Sequence, residues 1–145
     1  MADDSIILHG SAVALGGKAL LALGASGSGK SALCLALMAS GALLVADDRV
    51  RLWRAGEGEG KRLLADAPAP LHGRIEARGV GLLCAAAAGP TPVALIVDLD
   101  MAEDRRLPPW RSRELLGVTL PLVLGPAGPH LHAALRQYLL AGRAD

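Results

Sequence analysis

Short apolar runs separated by glycines dominate the first third of the chain, and this spacing is typical of strands joined by tight turns. Two such runs, residues 11–15 and 19–23, meet at Gly16 and Gly17, which predicts a β-hairpin. After a glycine-rich segment, residues 30–40 are rich in Ala, Leu and Met. We predict a helix over this stretch, with the glycine that follows it as the C-terminal cap.

The next apolar runs predict strands that end in acidic residues. Residues 42–46 are apolar throughout, as in a strand buried on both faces, and Asp47 and Asp48 follow at once. Residues 93–100 predict a second buried strand that also ends in two acids, Asp98 and Asp100. Because ligands of α/β sheets bind at the carboxyl ends of strands, these acids are candidates for chemistry.

The rest of the chain is less uniform. The other periodic segments are predicted as a strand, a return strand, a last strand and a closing helix, at residues 49–54, 61–65, 118–124 and 129–142 respectively. Pro121 is expected to break the last strand. Residues 74–88 fit either a helix or a strand, and residues 101–114 are predicted to form a polar loop.

Composition narrows the class of protein. With 145 residues, 52% of them hydrophobic, the chain is expected to form one compact domain, residues 1–145, with a real core. Two Trp, one Tyr and a net charge of +1 offer neither stacking platforms nor a basic stripe, so no nucleic-acid partner is expected. Cys34 and Cys84 lie far apart, each in an apolar run, so two buried free thiols are expected, and without C-x-x-C spacing a metal or redox role is not.

Nothing in the sequence predicts a membrane segment. Asp3 and Asp4 stand where a signal peptide would carry basic residues. A long uncharged run, residues 79–97, is interrupted by Gly89, Pro90 and Pro92, which disfavours a spanning helix. We therefore expect a soluble cytoplasmic protein.

Eight consecutive residues between the predicted hairpin and helix fit the Walker A pattern G-x-x-x-x-G-K-[ST]. They are Gly24, Ala25, Ser26, Gly27, Ser28, Gly29, Lys30 and Ser31. Such glycines let backbone N–H groups surround a phosphate, and the following helix adds its positive N-terminus. Lys30 would reach the β- and γ-phosphates, and the Ser31 hydroxyl would ligate Mg²⁺. The sequence thus predicts an α/β fold of the P-loop nucleotide-binding type, with a mixed central sheet and flanking helices.

The paired aspartates lie close to this loop along the chain. Asp47 follows Lys30 by 17 residues, enough for one helix and one strand. A right-handed crossover would bring loop and acids to the same edge of the sheet. Because adjacent strand residues point to opposite faces, Asp47 and Asp48 are expected to differ in role. One could bind Mg²⁺ while the other accepts a proton from an attacking hydroxyl; alternatively, one caps a turn and stays solvated.

Several isolated polar residues are weaker candidates. His9 precedes the hairpin and could carry a proton, although a lone histidine is more often structural. On a strand, Glu76 and Arg78 would share a face and could meet metal and phosphate, or form a surface ion pair. Asp98 could serve as a Walker B acid, and Arg106 lies in a loop where an arginine could steady a transferring phosphate or stay solvated.

Four motifs in order resemble the catalytic domain of bacterial HPr kinase/phosphorylase, the enzyme that phosphorylates a serine of the phosphocarrier protein HPr. They are HG at His9, GASGSGKS, LLVADD, and EARGVG beginning at Glu76, which is similar to the family signature E-[IV]-R-G-[LI]-G. The resemblance covers residues 6–118. Because His9 lies near the start, the chain looks like a short form that carries the catalytic domain only.

The resemblance implies roles for individual residues. His9 and one aspartate would be catalytic, with Asp48 as the base toward the acceptor serine and Asp47 assisting. Lys30 would hold phosphate, and Arg106 matches a family arginine and joins the catalytic set. The implied Mg²⁺ ligands are Ser31, Asp48 and Glu76, and the implied phosphate-contacting signature residues are Glu76, Arg78, Gly79 and Gly81. The implied cofactors are ATP and Mg²⁺, and the implied partners are an HPr-like phosphocarrier and further copies of the chain, typically in a hexamer.

Two departures from the family pattern bear on activity. Residues 122–130 lack both arginines of the V-R-P-G-R stretch that the family uses in dephosphorylation, so kinase activity is expected and phosphorylase activity is doubtful. Pro108 replaces the glycine of the family's R-L-G stretch.

Two other functions stay open on the sequence alone. One is a P-loop kinase for a small metabolite, which would need a lid and a substrate pocket. The other is a regulatory nucleotide-binding module without turnover, in which the carboxylates would only hold Mg²⁺.

Overall fold

The computed structural model describes residues 4–145, so Asp3 lies outside the described residues. Strands β1 (Ile6–Leu15) and β2 (Lys18–Leu23) form the predicted antiparallel hairpin. Gly16 and Gly17 connect them with φ of +60° and +76°. Two central residues at positive φ match the twist of a tight hairpin, which is why glycines occupy both positions.

The predicted helix and the strand after it are also present. Helix α1 spans Lys30–Ala39, and β3 spans Leu43–Ala46. Both β2 and β3 pair antiparallel with β1, on its two sides, so β2 and β3 run parallel to each other. Their carboxyl ends therefore meet at one edge of the sheet, as expected, although β1 lies between them.

The sheet closes on itself through pairings between distant segments. Strand β4 (Arg49–Ala55) pairs with the first half of β1 and with β5 (Arg62–Asp66), as the alternating pattern predicts. Strand β8 (Thr91–Ala102) then pairs with β5 on one side and with β2 on the other. These contacts close a ring of five strands: β1, β4, β5, β8 and β2.

Three predictions for the second half of the chain need correction. Strand β8 continues through Met101 and Ala102, and β9 (Ser112–Leu115) lies inside the stretch predicted as a polar loop. Polar residues suit β9 because, among residues 4–145, it pairs with β10 (Val118–Gly125) alone, at the end of the sheet. Pro121 does not break β10, because it stands where the strand leaves β9 and begins to pair with β8.

The ambiguous stretch forms a separate hairpin, β6 (Arg74–Ala77) and β7 (Gly81–Cys84). Arg78 therefore lies in the turn and not on a strand beside Glu76. Helix α2 (Leu131–Ala141) closes the chain as predicted, and Gly142 follows it with φ of +76°.

Alternating side chains of the central strands build two cores. On one face Val13, Leu20 and Leu95 pack in a cluster with residues of both helices and with Ile75 of β6. On the other face neighbouring residues such as Ala12 and Leu21 pack with residues of β4 and β5. Both helices thus pack on the first core. The second core is formed by residues of the strands and their connections, without a helix.

The two cysteines have different environments. Cys34 is buried in α1, whereas Cys84 at the end of β7 is exposed, so the expectation of two buried thiols is wrong for Cys84. Burial raises the pKa of the Cys34 thiol far above its usual range. Within residues 4–145, no helix has the length and apolar character needed to cross a membrane.

Candidate active site

A cleft of about 500 Å³ lies where the carboxyl ends of β2 and β3 meet. It combines the glycine-rich loop (residues 24–31), the turn after β3, a residue of β1 and the β6–β7 hairpin. Its lining consists of His9, Ser26, Gly27, Gly29, Lys30, Ser31, Ala32, Leu35, Asp48, Glu76, Ala77, Arg78 and Val80. The structure therefore brings together most of the residues singled out in the sequence.

The glycine-rich loop adopts a conformation that needs its glycines. Gly24, Gly27 and Gly29 have φ of +151°, +84° and +102°, a region that other residues rarely adopt. A Cβ on Gly24 would come within 2.6 Å of the Ser28 Oγ. Within the loop the Ser28 N–H donates to the Ala25 carbonyl at 3.0 Å. The loop then enters α1, with Gly29 at the N-cap position.

Lys30 folds back over the loop that precedes it. Its Nζ donates to the carbonyl oxygens of Gly24 at 2.7 Å and Ala25 at 2.9 Å, and the residue is only 6% exposed. The ammonium group is thus held by neutral carbonyl dipoles and not by a carboxylate. An anion in the cleft would offer this cation a stronger, charge-assisted partner.

Asp47 is buried and fully engaged. Its Oδ1 accepts the Ser31 hydroxyl at 2.6 Å and the Ser11 hydroxyl at 2.9 Å, and its Oδ2 accepts the Glu76 N–H at 2.9 Å. These three donors fix the carboxylate and connect α1, β1 and β6 through one residue. Asp47 thus orients the Ser31 hydroxyl and attaches the β6–β7 hairpin to the cleft.

Asp48 points to a different environment. The Asp47 carbonyl accepts the Arg49 N–H at 2.8 Å, and the intervening Asp48 has φ of +69°. An i to i+2 bond around a residue at positive φ is a tight, strained γ-turn. The turn replaces the strand pleat, so the opposite-face argument for the two aspartates does not apply; their difference comes from burial instead.

Asp48 and His9 form a pair at the surface of the cleft. The His9 Nε2 lies 2.9 Å from the Asp48 Oδ1, and the side chains are 48% and 64% exposed respectively. A carboxylate fixed on one oxygen by an imidazole, and open on the other side, is suited to accept a proton from an incoming hydroxyl.

The signature residues lie along one wall. Glu76 on β6 and Arg78 in the turn line the cleft and also a second cavity of about 680 Å³. Gly79 and Gly81 line this second cavity, with φ of +83° and +142°. The two cavities share Asp48, Glu76, Ala77, Arg78 and Val80, so they adjoin beside Asp48 and the β6–β7 hairpin.

Two candidates lie apart from the cleft. Arg106 is exposed in the loop after β8. Among residues 4–145, it is not one of those that line the cleft. Asp98 is 3.5 Å from the Arg113 guanidinium and lines a separate cavity of about 340 Å³. This cavity shares one lining residue, His9, with the cleft. Asp98 does not line the cleft that contains Ser31, whereas Asp47 accepts a hydrogen bond from Ser31.

Sequence reasoning missed Ser11 and underrated Asp100. Ser11 is completely buried in β1; its hydroxyl donates to Asp47 and accepts the Asp48 N–H at 3.2 Å. Asp100 accepts the Ala25 N–H with both carboxylate oxygens, at 3.0 and 2.9 Å. The only sequence signal for Ser11 is a hydroxyl within an otherwise apolar strand.

Comparisons with known proteins place the sequence among HPr kinases. The sequence model of the HPr Serine kinase C-terminal domain matches residues 1–102. An HPr kinase/phosphorylase of Alkaliphilus metalliredigens is 34% identical over 143 residues, covering 90% of this chain and 45% of that protein. Another from Caldicellulosiruptor bescii is 42% identical over 78 residues, covering 54% of this chain and 24% of that protein.

A solved structure is similar over nearly the whole chain. The Hpr(Ser) kinase/phosphatase from Coxiella burnetii has a TM-score of 0.76 at 25% identity, with 93% of this chain and 91% of that chain covered. By contrast, this chain spans less than half the length of the two curated relatives described above.

Proposed function

This chain belongs to the HPr serine kinase C-terminal domain family, and from that premise we propose that it transfers the γ-phosphoryl group of ATP to a serine of an HPr-like phosphocarrier. The observation that carries the proposal is the Asp48–His9 pair at the cleft beside the glycine-rich loop. A phosphate site next to an accessible base is what phosphoryl transfer to a hydroxyl requires.

The glycine-rich loop is proposed to bind the phosphates of ATP. Backbone N–H groups of Gly27 and of residues 29–31, at the N-terminus of α1, would surround them. Lys30 would exchange the carbonyls of Gly24 and Ala25 for phosphate oxygens, since charged partners are favoured over neutral ones. Catalysis at this end of the site is then chiefly positioning and charge neutralisation.

Asp48 is proposed as the base. Asp47 already accepts three hydrogen bonds and is 7% exposed, so it has little capacity for an incoming proton. Asp48 is largely exposed and has one side-chain partner, His9. In the transfer, the serine O–H proton passes to Asp48 as the serine oxygen bonds to the γ-phosphorus and the bond to ADP breaks. His9 holds the carboxylate in place.

The residues around Ser31 fit a Mg²⁺ ion that arrives with ATP. Within residues 4–145 there is no cluster of three or more His, Cys, Asp or Glu that could hold a metal by itself. Mg²⁺ in such sites takes most ligands from phosphate and water, with one or two from protein. Ser31 and Glu76 would hold it, with Asp47 in place of Asp48 on the metal side because Asp47 contacts Ser31. When bound, Mg²⁺ would neutralise phosphate charge.

The exposure of Asp48 favours a protein acceptor over a small metabolite. Kinases of small metabolites exclude water from the reacting hydroxyl by enclosing the substrate. Here the Asp48 side chain is 64% exposed and borders the second cavity along the β6–β7 hairpin. A serine presented on a folded protein could enclose this base itself. Phosphorylase activity and a hexameric assembly remain predictions, to be measured by phosphoserine release and by light scattering.

The direct test presents labelled ATP and Mg²⁺ with two kinds of acceptor. The HPr-like protein of the same organism is expected to gain one phosphate on a serine, read by mass spectrometry, while a panel of small hydroxylated metabolites gains none. Labelling of a metabolite alone would favour the metabolite kinase. Tight nucleotide binding without transfer to any acceptor would favour the regulatory module.

A further inference from the structure

The carboxylate of Asp100 holds the first peptide group of the glycine-rich loop. Asp100 lies near the end of β8, and both of its oxygens accept the Ala25 N–H, at 3.0 and 2.9 Å. This N–H belongs to the peptide group that links Gly24 to Ala25. Hydrogen bonds to a charged acceptor are stronger than neutral ones.

The same peptide group is held from its other end by Lys30. The Gly24 carbonyl accepts from the Lys30 Nζ at 2.7 Å, so one peptide plane lies between a cation and an anion. Gly24 itself, at φ of +151°, has no Cβ to restrict rotation of this plane. The orientation of the peptide therefore depends on its two charged partners.

We propose that Asp100 is a positioning residue that keeps the glycine-rich loop in its phosphate-binding shape when Lys30 leaves the loop for phosphate. The inference rests on the proposed function only in requiring that the loop binds a nucleotide. Once Lys30 turns to phosphate, the Gly24 carbonyl loses its donor. Asp100 then keeps the peptide from rotating and the following N–H groups from losing their direction.

Asp100 is itself held by its surroundings. Its N–H donates to the Asp98 Oδ1 at 3.0 Å, and the Asp98 Oδ2 lies 3.5 Å from the Arg113 guanidinium on β9. This chain of contacts ties the loop to β8 and β9. Asp98, which does not line the cleft, thus helps to hold Asp100.

A rival explanation predicts effects of opposite sign. A carboxylate near bound phosphates repels them, and Asp100 could act as a substitute anion that the nucleotide displaces. Removing the charge would then strengthen nucleotide binding. Under the positioning role, removing the acceptor weakens binding, and removing only the charge weakens it less, because a neutral acceptor still keeps the bond.

The test compares Asp100→Asn, which keeps an acceptor oxygen, with Asp100→Ala, which does not. Asp104→Ala removes an exposed acid from the adjacent loop and serves as the matched control. Calorimetry with Mg²⁺-ADP, without acceptor protein, is expected to show affinity about tenfold weaker for Asp100→Ala. Asp100→Asn and Asp104→Ala are expected to stay within about threefold of wild type, since neither removes the bond.

Kinetics and amide exchange separate positioning from a general loss of structure. The KM for ATP is expected to rise in Asp100→Ala, with kcat changed less, and Asp100→Asn is expected to rescue it. In the wild type, NMR hydrogen exchange is expected to show the Ala25 N–H protected both with and without Mg²⁺-ADP. This second measurement needs no variant and holds even if Asp100→Ala does not fold.

Several results would overturn the proposal. They are unchanged or tighter binding in Asp100→Ala, equal weakening in both Asp100 variants, and loss of Ala25 protection when nucleotide binds. Failure of the proposed function is distinct: the wild type would then bind no nucleotide or phosphorylate no acceptor, whatever residue stands at position 100.

Discussion

Ser11→Ala removes a hydroxyl that is hydrogen-bonded to both Asp47 and Asp48. In the wild type this hydroxyl donates to the Asp47 carboxylate at 2.9 Å and accepts the Asp48 N–H at 3.2 Å. After the change Asp47 keeps two of its three donors, and the Asp48 N–H loses its partner in a turn that is already strained.

The size of the effect follows from these two bonds. Losing one hydrogen bond to a buried charged group costs about 1.5–3 kcal/mol, and the second, longer bond is part-buried and adds less. We expect the free energy of unfolding to fall by about 2–3 kcal/mol. For a chain of this size that lowers Tm by roughly 5–10 °C.

Urea unfolding and thermal melts followed by circular dichroism measure this change. The matched control is Ser40→Ala, because the Ser40 hydroxyl is exposed and makes one long bond of 3.4 Å to the Ala36 carbonyl. That control is expected to change stability by no more than about 0.5 kcal/mol. If Ser11→Ala were as mild as the control, the hydroxyl would not be holding the acidic turn, and the reasoning would be refuted.

Three further outcomes follow from the site. Lys30→Met is expected to weaken ATP binding about 10–100-fold by calorimetry, and unchanged affinity would contradict its transfer to phosphate. His9→Ala is expected to lower kcat about tenfold while ATP affinity is kept, because His9 holds Asp48 and not the nucleotide; a parallel loss of affinity would argue against that role. With a thiol reagent at pH 8, the exposed Cys84 of the native protein is expected to react readily, and Cys34 only after denaturation. Cys34 is buried, and its raised pKa keeps the thiol neutral and unreactive. Rapid reaction of both native thiols would show that α1 opens.

Elements marked by local signals were predictable from the sequence. The hairpin at Gly16 and Gly17, α1 and β3 follow from turn residues and hydrophobic spacing, and the shared edge of loop and acids follows from the crossover rule. The ring closure was not predictable, because the pairing of β2 with β8 joins segments about 75 residues apart with no local trace.

The details of the site depend on contacts that no local pattern carries. Asp47 and Asp48 were expected on opposite faces of a strand, but β3 ends at Ala46 and Asp48 adopts positive φ, so the strand pleat does not set their directions. Ser11 went unnoticed because a serine in an apolar strand is not unusual until its partners are known. The sequence did not distinguish helix from strand for the β6–β7 hairpin. One contact that holds the hairpin is the bond from the Glu76 N–H to Asp47, 29 residues away, which leaves no local sequence signal.

The initial rate of phosphoserine formation on the HPr-like protein, compared between wild type and Asp48→Asn, tests the central claim most directly. ATP affinity is measured on the same preparations. The account predicts that the wild type phosphorylates one serine and that Asp48→Asn is slower by about 10²–10⁴-fold, with ATP affinity within about threefold of wild type. Equal rates for the two proteins, or no phosphoserine with the wild type, would contradict it.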